Sequence, residues 1–133
     1  MSIEEFAKEI ERMEDRHLFK AKHFEEWHIG NIVKEPDGLY IRDIKENVMA
    51  YIDDESTICQ CTGLKDKKGK LIWENDVVKI NNSKVNVLIT FRDFEIICTI
   101  PNEKYYKHRL EYDTEYEVVG NIFDNPELLE SEG

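Results

Sequence analysis

Two stretches in the second half of the chain, "KVNVLITF" and "FEIICTI", alternate apolar and polar side chains over most of their length. Successive residues of a strand point to opposite faces, so this period of two is a β signature. It puts Val85, Val87, Ile89 and Phe91 on one face, and Phe94, Ile96, Cys98 and Ile100 continue the pattern. Arg92-Asp93 between them is either a tight connection or a bulge in one long strand. The same texture recurs upstream in short pieces, "EWHIGNIV", "GLYI", "VMAYI", "STICQCTGL", "LIW" and "VVKI". Turn chemistry separates them: Pro36-Asp37-Gly38, the acidic corner Asp53-Asp54-Glu55, the basic tip "KDKKGK" around Gly69, the corner Glu74-Asn75-Asp76, and Asn81-Asn82-Ser83. Asn75 is one of the few non-glycine residues that tolerates a left-handed backbone. Many short strands joined by tight turns predict a mostly antiparallel architecture.

Only the two ends read otherwise. At the N-terminus Ser2 and Glu5 form an S-x-x-E capping box, and Ile3, Phe6, Ile10 and Met13 follow at helical spacing. A helix over residues 1–16 is expected, with a narrow stripe like two heptads of a coiled-coil seam. An isolated helix of about 15 residues is marginal in water, so the stripe needs a partner. That partner is its own sheet or, as the seam-like spacing favours, a second copy in a homo-oligomer. At the C-terminus Asn125 and Pro126 start one turn of helix. The segment 101–114 is ambiguous between loop and short helix. The fold class expected is mainly β (α+β): helix 1–16, then a single β domain over 17–133. That domain is a strongly bent antiparallel sheet or a small, partly open barrel, closed by the short C-terminal helix.

Composition narrows the function classes. At 133 residues and 41% hydrophobic content, the chain can bury roughly two thirds of its extended surface without metals or disulfides. No apolar run approaches the roughly 20 residues that span a bilayer. The acidic start "MSIEEFAKEIERMEDR" is unlike a secretory signal. The expectation is a cytoplasmic chain with no membrane contact. Cys59, Cys61 and Cys98 are sparse and unmatched by histidine, so they read as reduced and packed. Net charge is −11, unevenly placed: residues 64–109 carry ten bases and six acids, residues 110–133 carry eight acids and no base. The total argues against nucleic acid as a partner, because phosphate repulsion is the leading effect.

The stretch "STICQCTGLKDKKGKLIWENDVVKI" is similar to the central signature of the YopX family, small proteins of phages and prophages. Gln60, Thr62, Gly63, Leu64, Asp66, Gly69, Ile72, Glu74, Asp76 and Val77 carry the likeness. Val118, Gly120, Asn121, Ile122, Asn125, Pro126, Leu128 and Leu129 resemble the family's C-terminal ending, and Trp27, Gly30, Tyr40 and Ile41 its upstream hairpin. Asn75 stands where the family usually has glycine, and Cys61 where it usually has an aromatic. The resemblance implies a mainly β, barrel-like fold, a mobile-element origin and a bacterial host cell. It implies no catalytic residues.

No nucleophile–base pair, cofactor fingerprint or metal set stands out, so a non-catalytic chain with no cofactor is expected. Glu74 and Asp76 supply only two carboxylates and read as a solvated corner. His17, His23, His28 and His108 are scattered. Trp27 and Trp73 suit core anchoring better than base stacking. Two sets remain as binding candidates. Tyr105, Tyr106, His108, Arg109 and Tyr112 form an aromatic-basic cluster in the least regular segment. Lys67 and Lys68 sit on the lysine-tipped hairpin 65–70. The expected function is binding of a host or phage protein, through the aromatic loop and the acidic C-terminal segment. The alternative is nucleic acid held by the lysine tip.

Overall fold

The computed structural model describes residues 2–81, 83–92, 95–100, 107–109 and 114–129. Ser2 caps the first helix: the Glu5 N–H donates to Ser2 Oγ at 3.1 Å, and helix α1 spans Ile3–Asp15. Chain contacts divide into two compact units, Met1–Gly63 and Leu64–Gly133.

In the first unit β1 (Phe19–His23), β2 (Glu26–Glu35), β3 (Gly38–Asp43) and β4 (Met49–Tyr51) form an antiparallel meander. After a 3-10 turn at Glu55–Thr57, β5 (Cys59–Lys65) returns beside β1 and runs on through the unit boundary to the turn that leads into β6 (Leu71–Trp73). The resulting sheet has the order β4-β3-β2-β1-β5-β6. Alternation along its strands sends Ala21, Ile41, Ala50 and Ile52 into a core that Ile32, Leu39 and Ile58 extend. Gly30 is required here: a Cβ would run into the Arg42 carbonyl on β3.

The second unit holds β7 (Asp76–Ile80), β8 (Val87–Arg92), β9 (Glu95–Thr99), β10 (Lys107–Arg109) and β11 (Tyr116–Asn121). Their order is β10-β9-β8-β7-β11. Ile72, Val78, Val87, Ile89, Cys98 and Tyr116 form its core. The β7–β11 ladder shifts register between Val118 and Gly120. Directly after it the chain folds back into a 3-10 turn at Pro126–Leu129. A Cβ on Gly120 would collide with Asn125 Oδ1 and Leu128, so the spacing of that C-terminal motif is set by packing.

The mainly β architecture, the N-terminal helix and the short C-terminal helix are as expected. Among the described residues the strands are shared between two open sheets, and neither closes into a barrel. Trp73 and the three cysteines are buried. Asp76 is not solvated: it is 3% exposed, and its carboxylate accepts the Trp73 N–H at 2.8 Å. Among the described residues no helix is long and apolar enough to cross a membrane.

Candidate functional site

The lysine-tipped turn is built around Asp66. Its Oδ1 accepts the N–H groups of Lys68 and Lys70, both at 2.9 Å, and its Oδ2 accepts the N–H of Val118 on β11 at 3.0 Å. The Lys67 N–H adds a bond to the Tyr116 carbonyl at 2.8 Å. Burial alone would raise the Asp66 carboxyl, but these amide donors outweigh it and hold the group below the usual carboxylate range. The turn is therefore anchored to β11 and rigid. Its lysines face an acid: Glu117 Oε2 lies 3.7 Å from Lys67 Nζ and 3.4 Å from Lys68 Nζ. A shallow cleft of about 210 Å3 beside the turn mixes Lys67, Lys79 and Lys84 with Glu115 and Glu117. Opposite charges at this spacing cancel much of the field a phosphate would feel.

Of the aromatic-basic cluster, Tyr105, Tyr106 and Tyr112 lie outside the described residues. His108 and Arg109 belong to β10, opposite Cys98 and Ile97 of β9. The acidic segment is described from residue 114 to residue 129 only.

A surface that the sequence did not single out lies on the first unit. By register, Lys20, Lys22, Trp27, Ile29, Tyr40, Arg42, Met49 and Tyr51 share the sheet face opposite the core. Trp27 is half-buried on that face, not in the core, with Lys20 Nζ at 4.6 Å and Lys22 Nζ at 5.2 Å from its ring centre. Tyr40 and Tyr51 meet edge to face at 5.4 Å. At one end of this face Ile29, Ile44, Val48 and Met49 are all exposed. The backbone joins them: the Ile44 N–H donates to the Ile29 carbonyl and the Asp43 N–H to that of Val48. Among the described residues, every exposed large apolar side chain except Val85 belongs to the first unit.

On the core side of the same strands, His28 Nδ1 lies 2.9 Å from Asp43 Oδ2, with both residues buried. Asp43 Oδ1 accepts the N–H groups of Lys45 and Glu46 at 2.8 and 2.9 Å. The Glu46 amide, and then His28, hold the Asp43 carboxyl below the usual range. The turn continues to Asn47, whose φ of 54° places it in the left-handed region. It carries Glu46 back so that one donor atom each of His28, Asp43 and Glu46 falls within 4.8 Å of the others. The signal for this was present in the sequence. With Glu35 opposite Gly38, the register sets Gly30 opposite Asp43. His28, two residues away on the same face, then becomes the diagonal neighbour of Asp43.

The model of the YopX protein family matches residues 6–130 of the chain. Among solved structures, the crystal structure of protein yopX from Bacillus subtilis is similar, with a TM-score of 0.57 and 20% sequence identity, covering 86% of this chain and 99% of that one. No curated protein matches the chain.

Proposed function

Since the chain belongs to the YopX family, we propose that it is a non-catalytic protein-binding module, an accessory protein of a phage or prophage that works in the bacterial cytoplasm. The observation that carries this is the exposed apolar surface of the first unit, formed by Ile29, Ile44, Val48 and Met49 beside Tyr51. Contiguous apolar patches on soluble domains mark interaction sites. Aromatic and methionine side chains are enriched at the core of such interfaces, where tyrosine is a frequent energetic anchor. Lys20 and exposed Arg42 border it. The partner that fits is therefore a protein offering apolar side chains within an acidic rim. The reading through nucleic acid has less support, because Glu117 stands against both Lys67 and Lys68.

The test is capture of a partner by the immobilised chain in host extract, its identification, and reconstitution with that partner purified. Replacing Ile44 and Val48 by serine is expected to weaken the reconstituted complex at least tenfold and leave the melting temperature unchanged. Equal binding by wild type and variant would overturn the assignment of this surface. Binding of DNA at physiological salt that is lost in Lys67→Ala/Lys68→Ala would support the alternative.

A further inference from the structure

We propose that His28, Asp43 and Glu46 form a site for one zinc-type divalent cation. The inference is independent of the protein-binding reading and rests on the donor set and its support. The three residues offer one imidazole nitrogen and two carboxylate oxygens within 4.8 Å of one another. One nitrogen and two oxygens suit zinc and its neighbours in the first transition row. Calcium and magnesium take six or more oxygens.

The support is already built. The amides of Lys45 and Glu46 occupy Asp43 Oδ1, which leaves Oδ2 aimed at His28 Nδ1. Metal-binding carboxylates are fixed in this way, with one oxygen on the metal and the other held by the protein. Two donors of a tetrahedral zinc ion, each about 2.0–2.1 Å from the metal, sit about 3.3 Å apart. The His28–Asp43 pair, at 2.9 Å, needs to open by only a few tenths of an ångström. Glu46 is exposed and comes in by a change of rotamer. Water completes the shell. When the metal takes Nδ1, the imidazole proton moves to Nε2, so neutral His28 binds without a net loss of protons.

The cysteines are the competing zinc ligands. All three are buried, with Cys59 and Cys61 on β5 and Cys98 on β9. Cobalt distinguishes the two sites, because a thiolate adds an intense charge-transfer band and an N/O site has none.

The experiment is a titration of the metal-free full chain with zinc against a chromophoric chelator, repeated with cobalt. One equivalent of zinc is expected to bind and to raise the melting temperature, and the cobalt spectrum is expected to lack thiolate bands. Glu46→Gln is expected to lower zinc affinity at least tenfold without shifting the melting temperature of the metal-free chain, since Glu46 is exposed. His28→Gln is expected to abolish binding. Absence of saturable binding, equal affinity in Glu46→Gln, or a cobalt spectrum with thiolate bands would each overturn the proposal. The Glu46 variant keeps the test decisive even if His28→Gln fails to fold.

Discussion

Asp66 ties the lysine-tipped turn to β11. A short acid with two oxygens is what the turn needs: three amide donors from two segments converge on it, and a longer Glu would overshoot them. Its pH behaviour follows. The folded-state group titrates below its unfolded value, so its contribution is fully present above the unfolded pKa of about 4 and is lost as pH falls through the folded one. The denaturation midpoint of the wild type is expected to drop as pH falls below about 4. Asp66→Asn is expected to flatten that portion of the profile. It also turns an amide NH2 toward backbone donors, which costs about 2 kcal/mol or more at pH 7. Urea unfolding of both proteins from pH 7 to pH 2 measures this. An unchanged slope in the variant would refute the assignment.

Helix α1 poses a different problem, since its expected apolar stripe is not covered where its side chains are described. Ile3 is 88% exposed and Phe6 57% exposed. Full burial of an Ile or Phe side chain is worth about 1.5–3 kcal/mol, so a seam formed with the helix of a second copy has a sizeable driving force. Sedimentation of the full chain at micromolar concentration is expected to give an oligomer, and Phe6→Glu is expected to shift it to monomer with the sheets intact. A wild type that sediments as a monomer would refute self-association through this helix. The helix with its Ser2 cap and most of the strands were legible because local pattern encodes them. Partition into two sheets was not: β11 pairs with β7, so Tyr116 lies opposite Ile80 from far along the chain, and no period of two specifies such a pairing. The His28–Asp43 contact was legible once the hairpin register was counted out from Pro36-Asp37-Gly38, and histidines read singly concealed it. Lys67 and Lys68 were legible as a tip. Their pairing with Glu117 depends on the docking of the turn on β11 through Asp66 and the Lys67 amide, a contact between distant segments, and was not.

At the scale of the whole molecule, the two buried clusters have no residue in common. Ala21, Ile41, Ala50 and Ile52 belong to one unit, and Ile72, Val78, Val87, Ile89, Cys98 and Tyr116 to the other. The cysteines are placed to report on each separately, Cys59 and Cys61 in the first unit and Cys98 in the second. Burial pushes the Cys98 thiol up to about 12. Thiolate is the reactive form, so Cys98 is expected to resist alkylation in the native protein at neutral pH. Unfolding releases it. Pulsed alkylation across a urea series, read by mass spectrometry at each cysteine, therefore follows the units independently. Ile89 is fully buried in the second cluster, and truncating such a side chain costs about 2–5 kcal/mol. Ile89→Ala is expected to move the Cys98 transition to markedly lower urea and to leave that of Cys59 and Cys61 nearly in place. Ile41→Ala, in the first cluster, is expected to do the reverse. Joint displacement of all three cysteines by either variant would mean that the strand β5, which runs through the boundary at Gly63, couples the units into a single cooperative fold, and the two-core reading would fail.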